Sequence, residues 1–365
     1  MGKKFLKTES LLALSIAQSG WSQLGPFYAP RFHNHNHDHN NEAEILRYMN
    51  PVIQEGRIQV YEPKLGFGLE LLPPHLAQSL QPVDMAVLGD NRPDPLIQRM
   101  YKELASKFQN PQIKKIIDQI TESSYRESLT SIVEFGNRAT LPASFVPWAK
   151  ERFHQYGYEP FYDYNIVAFK EGLMYPDEHI VLIGHMDTVR GTIGADDNAS
   201  GAAGVFEAAR VLQNVKTKRS ITFILSEDEE VGLLGAQYFI DRMNEAGNLA
   251  RIKKVINMDM IAYNSNGIFD LETAPAYESF ADKMAELAMT YTKLTPNKVL
   301  NPWGSDHVPF IDAKIPALLT IEHWKTHTPC WHKRCDTLDT INFDYGKEIT
   351  RLNVAALAEF AELIE

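Results

Sequence analysis

With 365 residues, 44% of them hydrophobic and 23% charged, the chain has the make-up of a folded protein with room for one large α/β domain and an appendage, or for two smaller domains. Its net charge of −11 argues against nucleic acid or an anionic membrane surface as a partner, since either would call for a basic face. Cys330 and Cys335 are too few for a disulfide framework, so the core must carry stability; the pair is left as a small loop-closing bridge or as thiols of a soft metal site.

The N-terminus pairs a basic start at Lys3 and Lys4 with a short apolar stretch, Leu11–Ala17, and small residues at Ser15 and Ala17. Secretory leaders and ordinary amphipathic helices share that pattern, and Glu9 interrupts it. A secreted or periplasmic location follows if residues 1–17 act as a signal, and a cytoplasmic one otherwise. No run approaches the roughly 18–20 apolar residues of a membrane span. Residues 1–110 read as an N-terminal extension without an assigned activity. Within it, His33, His35, His37 and His39 alternate with polar residues in a solvated loop, at most a weak metal site.

From Pro95 the apolar spacing becomes helical, and 95–108, 111–134 and Ala143–Tyr156 read as helices. Strands are then expected at Tyr162–Phe169, His179–Ile183, Ile221–Leu225, Lys254–Met258 and Ile315–Ile321. Helices alternate with them at Ser200–Gln213, opened by a serine cap, Leu233–Met243, Tyr277–Tyr291 and Ile349–Ile364. The alternation predicts an α/β fold over 111–365: a mostly parallel mixed sheet flanked by helices on both faces.

In such sheets, sites form where the chain leaves the carboxyl ends of strands. His185 and Asp187 follow Ile180-Val-Leu-Ile. Glu229 and Glu230 follow Ile221-Thr-Phe-Ile-Leu, Asp259 follows Val255-Ile-Asn-Met, and His332 comes after the last strand with a loop between. Four strands thus bring imidazoles and carboxylates to one edge. Singly, each piece is commonplace: a His-x-Asp at a strand end is usually structural, and a Glu-Glu pair is usually a solvated face. Their joint occurrence, in order and after strands, points to a hydrolytic metal site. Zn²⁺ takes imidazole and carboxylate ligands at about 2.0–2.2 Å, and two metals need a carboxylate between them. Adjacent glutamates allow one to bind metal while the other moves protons.

These residues, with Gly194-Ala-Asp196-Asp197-Asn198-Ala-Ser200-Gly201 and Phe135-Gly-Asn137-Arg138, resemble the di-zinc aminopeptidase family that includes bacterial secreted aminopeptidases, glutamate carboxypeptidases and glutaminyl cyclases. The resemblance covers about 115–365. It implies a zinc-exopeptidase-like fold and two Zn²⁺ per chain. It also implies His185 and Asp259 on one ion, Glu230 and His332 on the other, Asp197 bridging both through a cis peptide to Asn198, and Asp196 outside the ligand set. It makes Glu229 the general base and has Asp187 hydrogen-bond His185 to fix its tautomer. Among His323, His327 and His332, the family's His-x-x-x-Asp-Thr pattern selects His332, with His327 as runner-up. Ser305-Asp306-His307 matches a segment near the substrate pocket.

The implied activity is removal of an N-terminal residue from a peptide or small aminoacyl substrate by a metal-activated water. Trp331, just before His332, resembles the glutaminyl cyclase branch, a single-zinc aminoacyltransferase, and keeps that alternative open. Met186-Asp187-Thr-Val is similar to a sister family of dimetal deacylases, although Asp197-Asn-Ala-Ser-Gly favours the aminopeptidases. A metal-binding relative without chemistry would lack a base or ligand, and none is missing.

Overall fold

A computed structural model describes residues 109–364. The leader-like residues 1–17, the His33–His39 loop and the helix expected at 95–108 lie outside the described residues. The strands are β1 (Phe161–Asp163), β2 (Asn165–Lys170), β3 (Tyr175–His185), β4 (Arg219–Ser226), β5 (Ile252–Met258), β6 (Ile268–Glu272), β7 (Thr295–Val299) and β8 (Ala317–Glu322). They form one sheet in the order β1-β2-β4-β3-β5-β8-β6-β7. The central four, β4, β3, β5 and β8, are parallel; β2 and β6 run antiparallel to them on either side.

The helices are α1 (Pro111–Ile117), α2 (Glu122–Val133), α3 (Phe145–Gln155), α4 (Ala199–Leu212), α5 (Leu234–Glu245), α6 (Glu278–Tyr291), α7 (His307–Asp312) and α8 (Phe343–Phe360). Side chains alternate across a strand, so β3 feeds two cores. Ile180 and Leu182 enter a large one built with α1–α4, α6 and α8, while Val181 and Ile183 enter a smaller one with α5 and α7. Burial on both faces explains why the central strands read as unbroken apolar runs.

The structure departs from the sequence reading in several places. The stretch 111–134 is two helices, because Thr121 caps α2 through reciprocal bonds with Ser124. Tyr162–Phe169 is not one strand: the chain reverses at Tyr164, φ 64°, and sets Asp163 opposite Asn165. Asn198, not Ser200, caps α4, its Oδ1 accepting from Gly201 N at 2.8 Å, while Ser200 is buried inside the helix and donates to Asp196 O. Strands β6 and β7 were not anticipated. Pro296 argues against a strand from sequence and is tolerated here because β7 is at the sheet edge. Among the described residues, no helix is long and apolar enough to cross a membrane.

Candidate active site

Each expected site residue lies at the carboxyl end of the parallel strands. His185 ends β3, Asp187 follows it, Glu229 and Glu230 sit in the turn after β4, and Asp259 is the residue after β5. Cys330 and Cys335 are disulfide-bonded, closing the loop that carries His332 after β8. The bond settles the open question about the two thiols.

Asp197 stands at the centre. Its Oδ1 is 3.3 Å from His185 Nε2 and its Oδ2 is 3.2 Å from His332 Nε2. His185 Nε2 is also 3.3 Å from Asp259 Oδ1, and His332 Nε2 is 3.0 Å from Glu230 Oε2. Glu229 stands further back, its Oε2 3.9 Å from His185 Nε2. The other candidate histidines are engaged elsewhere. His323 Nδ1 meets Asp270 Oδ1 at 2.7 Å, and the His327 ring stacks on Trp324.

The backbone that aims these groups is held by residues to which sequence reasoning gave no role. Asp336, of the His-x-x-x-Asp-Thr pattern, accepts from the backbone N–H groups of Asp196 and Asp197 at 2.8 and 3.1 Å. Arg138 is fully buried and donates to the carbonyls of Met186, Gly136, Ile193 and Gly194, bracing the loop after β3. Asp187 does more than expected: its two oxygens accept from Glu229 N and Glu230 N, each at 3.2 Å, besides lying 3.4 Å from His185 Nδ1. Ser305 donates to Asp259 Oδ2 at 2.7 Å, which places this segment beside the site as expected. Two glycines flanking Asp197 are required. Gly194 has φ +63°, and a Cβ on Gly201 would strike Met258 O and the Asn198 side chain. The Asp197–Asn198 peptide is cis, as the resemblance implied. Asp196 keeps out of the cluster, accepting from Ala262 N.

The electrostatics call for a cation. Burial alone would lower the His185 pKa, but Asp259, Glu229, Asp187 and Asp197 raise it well above the ordinary value. Burial likewise opposes protonation of His332, yet Asp197 and Glu230 lift it to about 10. Burial drives Glu229 well above the usual carboxylate range, with Asp259, Asp306 and Glu230 adding to it, and sets Glu230 at about 7. Asp197 goes the other way: burial would raise it, but the two imidazoles hold it below the usual range.

The donor set fits a metal ion. Both ring nitrogens of His185 and Oδ1 of Asp259 are buried without a hydrogen-bond partner, a costly arrangement for groups left to themselves. Nitrogen–oxygen separations of 3.0–3.3 Å are what bonds of about 2.0–2.2 Å to a common centre impose. Among the described residues, two triples of donor atoms each lie within 4.8 Å of one another: His185, Glu229 and Asp259, and His185, Asp197 and Glu230. The His332 side chain is 39% exposed, whereas that of His185 is fully buried.

Residues 165–357 match peptidase family M28. Aminopeptidase YwaD of Bacillus subtilis is 30% identical over 178 residues, which are 45% of this chain and 38% of that protein. This chain spans less than half the length of the curated relatives it matches. The LapA aminopeptidase of Legionella pneumophila superposes with a TM-score of 0.63 at 26% identity, covering 70% of this chain and 75% of that one. A zinc aminopeptidase from Bacillus subtilis superposes with a TM-score of 0.50 at 25% identity, over 55% and 53% of the two chains.

Proposed function

Because this chain belongs to peptidase family M28, we propose that it is a zinc-dependent aminopeptidase that hydrolyses the first peptide bond of a peptide or aminoacyl substrate. The observation that carries the reading is Asp197, with one carboxylate oxygen directed to each of two histidines. His185 and Asp259 would hold one zinc, Glu230 and His332 a second, and Asp197 both. Zinc, when bound, supplies Lewis-acid polarisation of the scissile carbonyl and lowers the pKa of water.

The chain's own residues do the rest. Glu229 Oε2 takes a proton from the attacking water as the carbon–oxygen bond forms. It then delivers that proton to the departing amine nitrogen as the carbon–nitrogen bond breaks. Asp187 fixes where that carboxylate points, because it holds the backbone N–H groups of both glutamates. The excess of buried carboxylates favours a substrate with a free, positively charged amine.

Purified protein loaded with zinc should hydrolyse L-leucine p-nitroanilide and lose that activity on chelation. No turnover across a panel of aminoacyl nitroanilides, or wild-type turnover by Glu229→Gln, would sink the reading. The glutaminyl cyclase alternative rests on Trp331, whose ring centroid is 4.3 Å from that of His332. Cyclisation of an N-terminal glutamine peptide without hydrolysis of any nitroanilide would favour it.

A further inference from the structure

Resting on the aminopeptidase reading, we propose that Trp303, Trp324 and Trp331 form the pocket for the substrate's first side chain and select an aromatic one. The three indoles come from two loops, one after β7 and one after β8, and meet ring to ring. Trp324 lies 5.4 Å from both Trp303 and Trp331, and Trp303 lies 6.4 Å from Trp331. Trp331 continues the cluster onto His332, on the exposed side of the metal-ligand set. Beneath it are the side chains of Met260, Leu319 and Ile321, a small apolar cluster separate from the two main cores. Met260 directly follows Asp259, so floor and wall each adjoin an expected ligand.

Two of the tryptophans are partly open to solvent: Trp303 is 49% exposed, and Trp324 is 39% exposed with His327 stacked on its ring. Large rings left open beside a site are the usual means of holding an apolar group. Their mutual interplanar angles of 57–79° present edges and faces in turn, the geometry in which a further ring gains beyond simple area burial.

The nearby carboxylates argue against a charged side chain. Asp270 is committed to His323 Nδ1 and Trp324 N, and Glu272 accepts from Trp303 N while lying 3.6 Å from His307 Nε2. Both carboxylates are thus already partnered, and the groups that meet at the cluster are the three indoles and the His327 ring.

The test is kcat/KM of zinc-loaded protein on the p-nitroanilides of phenylalanine, leucine, alanine and lysine. Phenylalanine should exceed alanine by more than about tenfold and leucine by a few-fold. Trp303→Ala and Trp324→Ala should each reduce the phenylalanine-to-alanine ratio several-fold. A flat wild-type profile, a preference for lysine, or a ratio that neither substitution moves would overturn the pocket while leaving the peptidase intact. No turnover of any substrate would instead remove the peptidase reading, and the pocket with it. Should either variant fold poorly, quenching of wild-type tryptophan fluorescence decides. L-phenylalanine amide should quench at lower concentration than L-alanine amide, and equal quenching would contradict the proposal.

Discussion

Two buried histidines on the same strand, β3, face opposite environments. His179, near its start, is 7% exposed and pairs through Nδ1 with Thr222 Oγ1 at 2.9 Å. Burial, with Arg251 nearby, lowers its pKa to about 4, so it is a neutral core residue. His185, at the end of the strand, is fully buried yet has its pKa raised, because carboxylates outweigh desolvation. Near the strand's start the charges answer one another at the surface, as where Arg219 meets Glu178 and Glu362, and Arg251 meets Asp177. At the carboxyl end acceptors outnumber donors and buried atoms lack partners. Near its start the strand meets charges paired within the protein, and at its end it carries the donor atoms of the proposed zinc site.

That contrast can be broken or sharpened by experiment, beginning with the largest effect. Glu229→Gln keeps the shape but removes the proton carrier, and kcat should fall about 10²–10⁴-fold with zinc content unchanged. Loss of zinc alongside activity would make Glu229 a ligand instead. Arg138→Met removes a buried cation that four backbone carbonyls share, and denaturant titration should show a loss of about 3 kcal/mol or more. An unchanged midpoint would mean the loop after β3 is held without it.

The pH dependence of stability tests the other end of the strand. The folded pKa of His179, about 4, lies below the ordinary 6.5, so the unfolded chain takes up the proton first as pH falls. Its contribution is full above pH 6.5 and declines as pH drops towards 4, by about 3 kcal/mol in all. His179→Gln should abolish that decline, read as the wild-type-minus-variant difference in metal-free protein. A difference independent of pH would show that the histidine is not held neutral. His185, with its pKa raised, contributes with the opposite sign: its stabilisation is present below pH 6.5 and is lost as pH rises through the folded value.

The smallest effect is on stability by ligation. Free zinc at a hundred times its Kd should stabilise the wild type by about 2.7 kcal/mol, and His185→Ala should lose most of this while His179→Gln keeps it. Equal responses from the two variants would erase the distinction between the ends of the strand.

Much of this architecture was legible in the sequence, for identifiable reasons. The parallel strands are apolar on both faces, so they announced themselves, and the rule that sites form at their carboxyl ends located His185, Asp187, Glu229, Glu230 and Asp259. The match to peptidase family M28 bears out the resemblance. The edge strands were hidden because Asp270 and Pro296 interrupt their patterns, and only pairing to β8 and β6 reveals them. The reversal at Tyr164 depends on distant partners, its hydroxyl reaching Asp228. Arg138 and Asp336 stand in motifs that the sequence shows, but their roles were opaque, because most of the backbone groups they hold lie far away in the chain. The tryptophan cluster joins residues from two loops, and spacing along the chain carries no trace of that meeting.

The central claim is that Asp197 is shared between two zinc ions. Anomalous diffraction at the zinc edge from zinc-loaded crystals tests it most directly. The account predicts two peaks flanking the Asp197 carboxylate, one against His185 and Asp259 and the other against Glu230 and His332. A single peak, or zinc bound by a set that excludes Asp197, would contradict it.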